Sequence, residues 1–193
     1  MLVSITSAYV GSKCADFYES ILSNNEERAT IIQSEISVLI RDMEPDDKII
    51  SYFSLLMYRY NEVFKRSTLD IRRLKETNML HPYLRYMYFF LRGQQDVIEE
   101  QYETAFQSFI KAEALLDRIP DEYEKEEFYL KVVELFYGMN QYVRAALYLE
   151  RALDKLSMQD RQFEQLVRAL LENVELLIEP NTQFKERYQA ISQ

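Results

Sequence analysis

Three observations predict an all-α protein. Glycine and proline are scarce, three and four in 193 residues, so few positions interrupt a helix. Apolar residues recur at spacings of three and four along most of the chain, the period of a helix with one buried face. The second half also repeats itself at helical spacing. The architecture these imply is an N-terminal three-helix bundle (1–66), a linker (67–81) and a short array of tetratricopeptide-type helix pairs (82–193), two clear and one partial.

The first helix is predicted over Thr6 to Leu22, with Val10, Cys14, Phe17, Tyr18 and Ile21 on its apolar face. Cys14 falls among core positions and reads as a small buried hydrophobe. As the chain's one cysteine it has no internal disulfide partner. Ser23-Asn24-Asn25 supplies turn and N-cap residues. A second helix then runs to about Met43, with Ile32, Ile36, Leu39, Ile40 and Met43 as its stripe.

Pro45 and the acidic pair Asp46-Asp47 open the third helix. Carboxylates in a first turn complement the positive end of the helix dipole. Ile50, Phe53, Met57, Tyr60 and Phe64 form its expected apolar face, and Asp47, Ser51, Ser54, Tyr58 and Asn61 share an expected exposed stripe. Whether that stripe is an active site, a docking surface or a solvated face is the main functional question.

Between Lys65 and His81 the pattern weakens. Ser67-Thr68 breaks it, and Arg72-Arg73-Lys75 reads as a solvated basic cluster, so a linker with at most a short helix is expected. His81, ahead of Pro82, reads as a turn residue.

The repeat begins at Phe89 and Gly93, followed by Tyr102, Ala105, Phe109 and Ala112. Forty residues on come Tyr129, Val133, Tyr142, Ala145, Leu149 and Ala152. These are tetratricopeptide spacings, in which small residues let paired helices approach and large ones fill the space between layers. The period exceeds the common unit of roughly 34 residues by about six, which implies longer helices. A further helix is expected from Asp160 to Leu177, with Phe163, Leu166, Val167, Leu170, Leu171 and Val174 as its stripe. After Pro180 a short last helix, Gln183 to Gln193, completes a partial third pair in which Tyr188 and Ala190 loosely follow the repeat.

Composition excludes several functions. A net charge of −9 opposes nucleic-acid binding. No apolar run reaches the eighteen or so residues of a membrane span, and the start lacks the basic region of a signal peptide. A soluble cytoplasmic protein is the expectation. There is no glycine-rich phosphate loop, no paired-cysteine or His-Glu-x-x-His metal spacing, and no catalytic triad for one histidine to serve. Neither cofactor nor metal is therefore expected. The many tyrosines of the repeats read as packing residues whose hydroxyls reach water.

Five blocks together resemble one family. They are GSKCADFY (Gly11 to Tyr18), MEPDDKIISYFSLLMYRY (Met43 to Tyr60), YFFLRG (Tyr88 to Gly93), EEQYETAF (Glu99 to Phe106) and EKEEFYLKVVELFYGMNQY (Glu124 to Tyr142). Their order and spacing resemble the N-terminal half of the Rap proteins, peptide-regulated response-regulator aspartate phosphatases and inhibitors tied to quorum sensing and sporulation. The resemblance implies that bundle and linker grip a receiver domain. It also implies that a glutamine at the start of the third helix orients water toward a phospho-aspartate in the members that do chemistry. A re-imported peptide, bound in the repeats, would release the partner.

Two departures modify that expectation. The family's Met-Glu-x-x-Gln-Asp appears as Met43-Glu44-Pro45-Asp46-Asp47-Lys48, which puts Asp47 at the glutamine's position. An amide can donate to and accept from water beside a phosphoryl group, whereas an ionised carboxylate only accepts and adds repulsion. A carboxylate acting as general base keeps a residual phosphatase open. The second departure is length: family members are about twice as long, and no peptide-contact residues carry over. The chain is then a fragment of a longer protein or a short relative without peptide control. The expectation is a non-catalytic partner-binding module using Asp46, Asp47, Ser51, Ser54, Tyr58 and Asn61. The alternatives are a residual phosphatase at Asp47, and a scaffold that forms a homodimer or binds another chain through its repeat end.

Overall fold

The computed structural model of the protein describes residues 6–65, 69–75, 81–155 and 161–178. Among these the chain is all-helical, with no strand. The helices are α1 (Ser7–Leu22), α2 (Glu26–Asp42), α3 (Asp47–Tyr60), α4 (Pro82–Ile98), α5 (Tyr102–Leu116), α6 (Glu122–Gly138), α7 (Tyr142–Lys155) and α8 (Arg161–Ile178). Compactness divides the chain into two units, Met1–Gln95 and Asp96–Gln193.

In the first unit, local chemistry sets the helix ends. The Thr6 hydroxyl accepts from the Tyr9 N–H at 3.3 Å, and Asn25 Oδ1 accepts from Arg28 N–H at 3.0 Å. Between the two helices Asn24 takes φ 54°, a left-handed turn that asparagine tolerates better than most residues. Helix α1 buries Val10, Cys14, Phe17, Tyr18 and Ile21 as expected. Helix α2 buries Ala29, Ile32 and Ile36 fully, while Leu39 and Ile40 are only half-buried. An aromatic cluster joins α1 to α3: the Phe17 ring lies 6.0 Å from Phe53 and 5.6 Å from Tyr60. The Tyr60 hydroxyl also shares a 2.8 Å hydrogen bond with Thr30 of α2. Each such ring, once buried, contributes about 1.5–3 kcal/mol.

After Tyr60 the helix widens into one π turn, Asn61–Lys65, from which Lys65 pairs with Glu26 of α2 at 2.6 Å. Within the basic stretch, Ile71–Arg73 forms a 3-10 turn, and Arg72, Arg73 and Lys75 are exposed. His81 behaves as a turn residue: its Nδ1 accepts from Tyr83 N–H at 3.3 Å at the head of α4.

The second unit repeats one turn. Gln101 N–H donates to the Asp96 carbonyl at 2.7 Å, and Gln141 N–H to the Phe136 carbonyl at 2.8 Å. The residues before them, Glu100 and Asn140, take φ 58° and 55°. These bonds satisfy carbonyls that a helix C-terminus leaves open. Ala105, Ala112, Ala145 and Ala152 are all fully buried, which lets neighbouring helices approach closely. Phe109 meets Phe128 edge-on at 6.1 Å, and Phe106 meets Phe136 at 5.4 Å. Helix α8 corrects one expectation: Val167 and Val174 are buried, but Leu166 is 47% exposed and Leu170 and Leu171 are half-buried. The side chain of Phe163 and the expected helix Gln183 to Gln193 lie outside the described residues.

Candidate functional site at the α3 face

The start of α3 carries the two acidic residues in different roles. Asp46 is the N-cap: its Oδ1 accepts from the N–H groups of Lys48 at 3.0 Å and Ile49 at 3.2 Å. A hydrogen bond from the Ser7 side chain, with those backbone donors, holds its carboxyl below the usual range. Asp46 is therefore committed to the helix end. Asp47 begins the helix proper and is exposed.

Along the helix the expected facing needs correction. Periodicity places Ile50 in the core, yet it is 38% exposed, and places Ser51 outside, yet it is 6% exposed. Phe53, Met57 and Phe64 are half-buried, and the true core residues are Ile49, Leu55, Leu56 and Tyr60. The cause is a second packing wall. Besides α1, helix α3 meets α4, with Tyr52 against Tyr83 at 6.0 Å and the Arg59 guanidinium 6.0 Å from the Phe90 ring. A helix covered on two flanks keeps only a narrow outward strip. Here that strip is Asp47 and Ile50, both exposed, with Ser54 half-buried one turn on, spaced three and four apart.

The remaining stripe residues are tied locally. Ser54 Oγ donates to the Ile50 carbonyl at 2.7 Å, and Asn61 Nδ2 to the Met57 carbonyl at 2.7 Å. The Tyr58 hydroxyl donates to the Asp70 carbonyl at 2.5 Å, so this ring braces the segment beyond the bundle. Burial, and then the nearby Asp70 charge, push its phenol above its ordinary value. The structure thus leaves Asp47 exposed beside Ile50, leaves Ser54, Tyr58 and Asn61 half-buried, and takes Ser51 inside.

Sequence reasoning missed Ile50 and Arg59. Arg59 is 5% exposed, its guanidinium 5.5 Å from the Tyr18 ring, a cation–π arrangement inside the unit. Its spacing from Leu55 and Leu56 was a usable signal, but a charge in a helix normally reads as solvated.

Elsewhere the chemistry is sparse. Burial pushes the Cys14 thiol up to about 12, so it stays protonated and unreactive at neutral pH. Among the described residues no cluster of His, Cys, Asp and Glu is arranged to hold a metal ion, and no helix is long and apolar enough to cross a membrane. An open groove between α1 and α2 is lined by Lys13, Asp16, Arg28, Ile31 and Glu35. The Lys13–Glu35 ion pair at 2.8 Å spans it.

Residues 4–65 match the family model described as response regulator aspartate phosphatase H, N terminal. Among curated proteins the chain is 31% identical to the type II methyltransferase M.CeqI of Rhodococcus hoagii, over 80% of this chain and 31% of that protein. It is 28% identical to the regulatory protein RapG of Bacillus subtilis strain 168, over 86% of this chain and 47% of the relative. It is also 28% identical to response regulator aspartate phosphatase A of the same strain, over 82% and 45%. The chain thus spans less than half of each of these relatives. Two solved structures share the fold. A Rap protein complexed with competence and sporulation factor gives a TM-score of 0.69 at 23% identity, over 96% of this chain and 52% of that one. The apo form of RapI gives 0.66 at 24% identity, over 94% and 51%.

Proposed function

This chain belongs to the Rap family, and from that premise we propose that it binds a response-regulator receiver domain through the α3 face without catalysing dephosphorylation. In this reading the bundle (1–66) and linker (67–81) grip the partner, and the repeats (82–193) support them. The observation that carries it is the open strip Asp47-Ile50-Ser54. An exposed carboxylate, an exposed apolar side chain and a half-buried hydroxyl lie on successive turns of a helix whose other flanks are packed. A partly apolar strip with polar neighbours suits a protein contact better than a solvated face.

The non-catalytic part rests on Asp47. A carboxylate in place of the family's glutamine cannot donate to an attacking water and repels a phosphorylated aspartate. Each loss of about 1.4 kcal/mol in transition-state stabilisation is a tenfold loss in rate. The test is calorimetric titration against a panel of purified receiver domains, phosphorylated and not. One or more should bind. Asp47→Ala and Ile50→Ala should each weaken that binding about tenfold while the melting profile keeps one cooperative transition. Equal affinity in both variants removes the strip from the argument. Loss of phosphoryl label should be negligible with the native chain and should rise with Asp47→Gln. Rapid loss catalysed by the native chain would establish the residual phosphatase instead.

A second reading, self-association through the repeat end, draws support from α8. Its exposed Leu166 and Leu177 and half-buried Leu170 share one helical face.

A further inference from the structure

The segment after the bundle is held more firmly than a connection needs to be. The Tyr58 hydroxyl takes the Asp70 carbonyl from the α3 side. One residue later Ile71 is 1% exposed, and its N–H donates at 2.9 Å to Oε1 of Gln95, a buried side chain of α4. Asp70 closes the turn, its Oδ1 accepting from Arg72 N–H at 3.0 Å and from Arg72 Nε at 2.8 Å. Exposed connecting backbone is ordinarily satisfied by water. Here two side chains from two helices, with an apolar plug between them, fix four residues. All of this lies inside the unit Met1–Gln95.

The outer side of the fixed turn is cationic. Arg72 and Arg73 are exposed, and the Arg73 charge acts on both Tyr58 and Asp70. The α3 face therefore has an acid at its first turn, Asp47, and a cation next to Tyr58 three turns along.

We propose that Tyr58 and Gln95 are positioning residues: they clasp residues 70–73 so that Arg73 extends the α3 face as a cationic contact for an acidic group on the docked protein. The contact rests on the receiver-domain reading above. The clasp does not.

Two measurements separate them. Trypsin cleaves after lysine and arginine, so the rate of cleavage at the Arg72 and Arg73 bonds of the full chain, followed by fragment mass, reports how firmly the turn is held. Tyr58→Phe, which removes one oxygen, and Gln95→Leu, which removes the acceptor, should each speed that cleavage about fivefold or more. Amide exchange at Ile71 should rise in parallel, with the amides of α1 and α2 unchanged. Cleavage within about twofold of the native rate in Tyr58→Phe overturns the clasp. So does acceleration that appears only when α1 and α2 also exchange faster, because that is general unfolding.

For the contact, Arg73→Glu should weaken binding of the receiver domain identified in the panel by about tenfold at low salt, and by less as salt is raised. Unchanged affinity overturns the contact while Asp47→Ala still tests the docking face. If no receiver domain binds at all, the reading and the Arg73 contact fall together, and the cleavage rates still decide the clasp.

Discussion

At Asp46 and Asp47 two identical side chains, one residue apart, are put to different uses by backbone geometry. The Asp46 carboxylate faces back over the helix end and accepts two N–H groups. Asp47 points outward. Replacing Asp46 by alanine strands those donors and should destabilise the first unit by about 1 kcal/mol, read as a lower melting temperature with the fold retained. The carboxyl is held below the usual range, so the ionised form is the one the fold prefers. Its contribution is complete above the ordinary carboxylate pKa and is lost as pH falls through the depressed value. The native chain and Asp46→Ala should therefore differ in stability at neutral pH and converge in acid. A difference that persists once the carboxyl is protonated would show that the cap acts through its neutral hydrogen bonds or packing rather than charge.

Among the elements, the two repeated turns differ in how well their residues suit them. Asn140 and Glu100 both adopt left-handed φ, which costs an ordinary L-residue about 1–2 kcal/mol and which asparagine bears better than glutamate. Glu100 is exposed, so its side chain has little packing to lose. Glu100→Gly should stabilise the chain by about 0.5–1 kcal/mol, seen as a raised midpoint in denaturant at constant slope. A lowered midpoint would mean that the Glu100 side chain contributes more than its backbone strain costs. The same scale explains α3. A helix packed against α1 on one flank and α4 on another cannot keep the broad polar back that its own residues suggest, and Ser51 is the residue drawn in.

For the molecule as a whole, charge and exposed apolar surface pull in opposite directions. A net charge of −9 keeps copies apart and argues against nucleic-acid partners. The leucines of α8 favour association. If the repeat end self-associates, sedimentation should give a dimer that strengthens with added salt as repulsion is screened. Leu166→Glu should then return it to monomer. A monomer at every salt and protein concentration would remove the second reading and leave the α3 face as the one docking surface proposed.

Much of this was legible in residue order. Helix class, the ends of α1 and α2, the start of α3, the forty-residue recurrence of helix starts at Tyr102 and Tyr142 and the alanines at helix contacts all follow from short-range chemistry: capping groups, left-handed turn residues and a period of 3.6. So does the family, whose blocks are contiguous stretches. What residue order left open was every feature that depends on a second element approaching from far along the chain. Periodicity assigns one buried face per helix, so it put Ile50 inside and Ser51 outside. Only the approach of α4 to the other flank of α3 reversed them. Tyr58 read as an exposed contact because its partner carbonyl lies twelve residues away, and nothing in Gln95 announced that it would hold the N–H of Ile71. Local free energies choose helices and their ends. Which side of a helix meets water is decided by what packs against it.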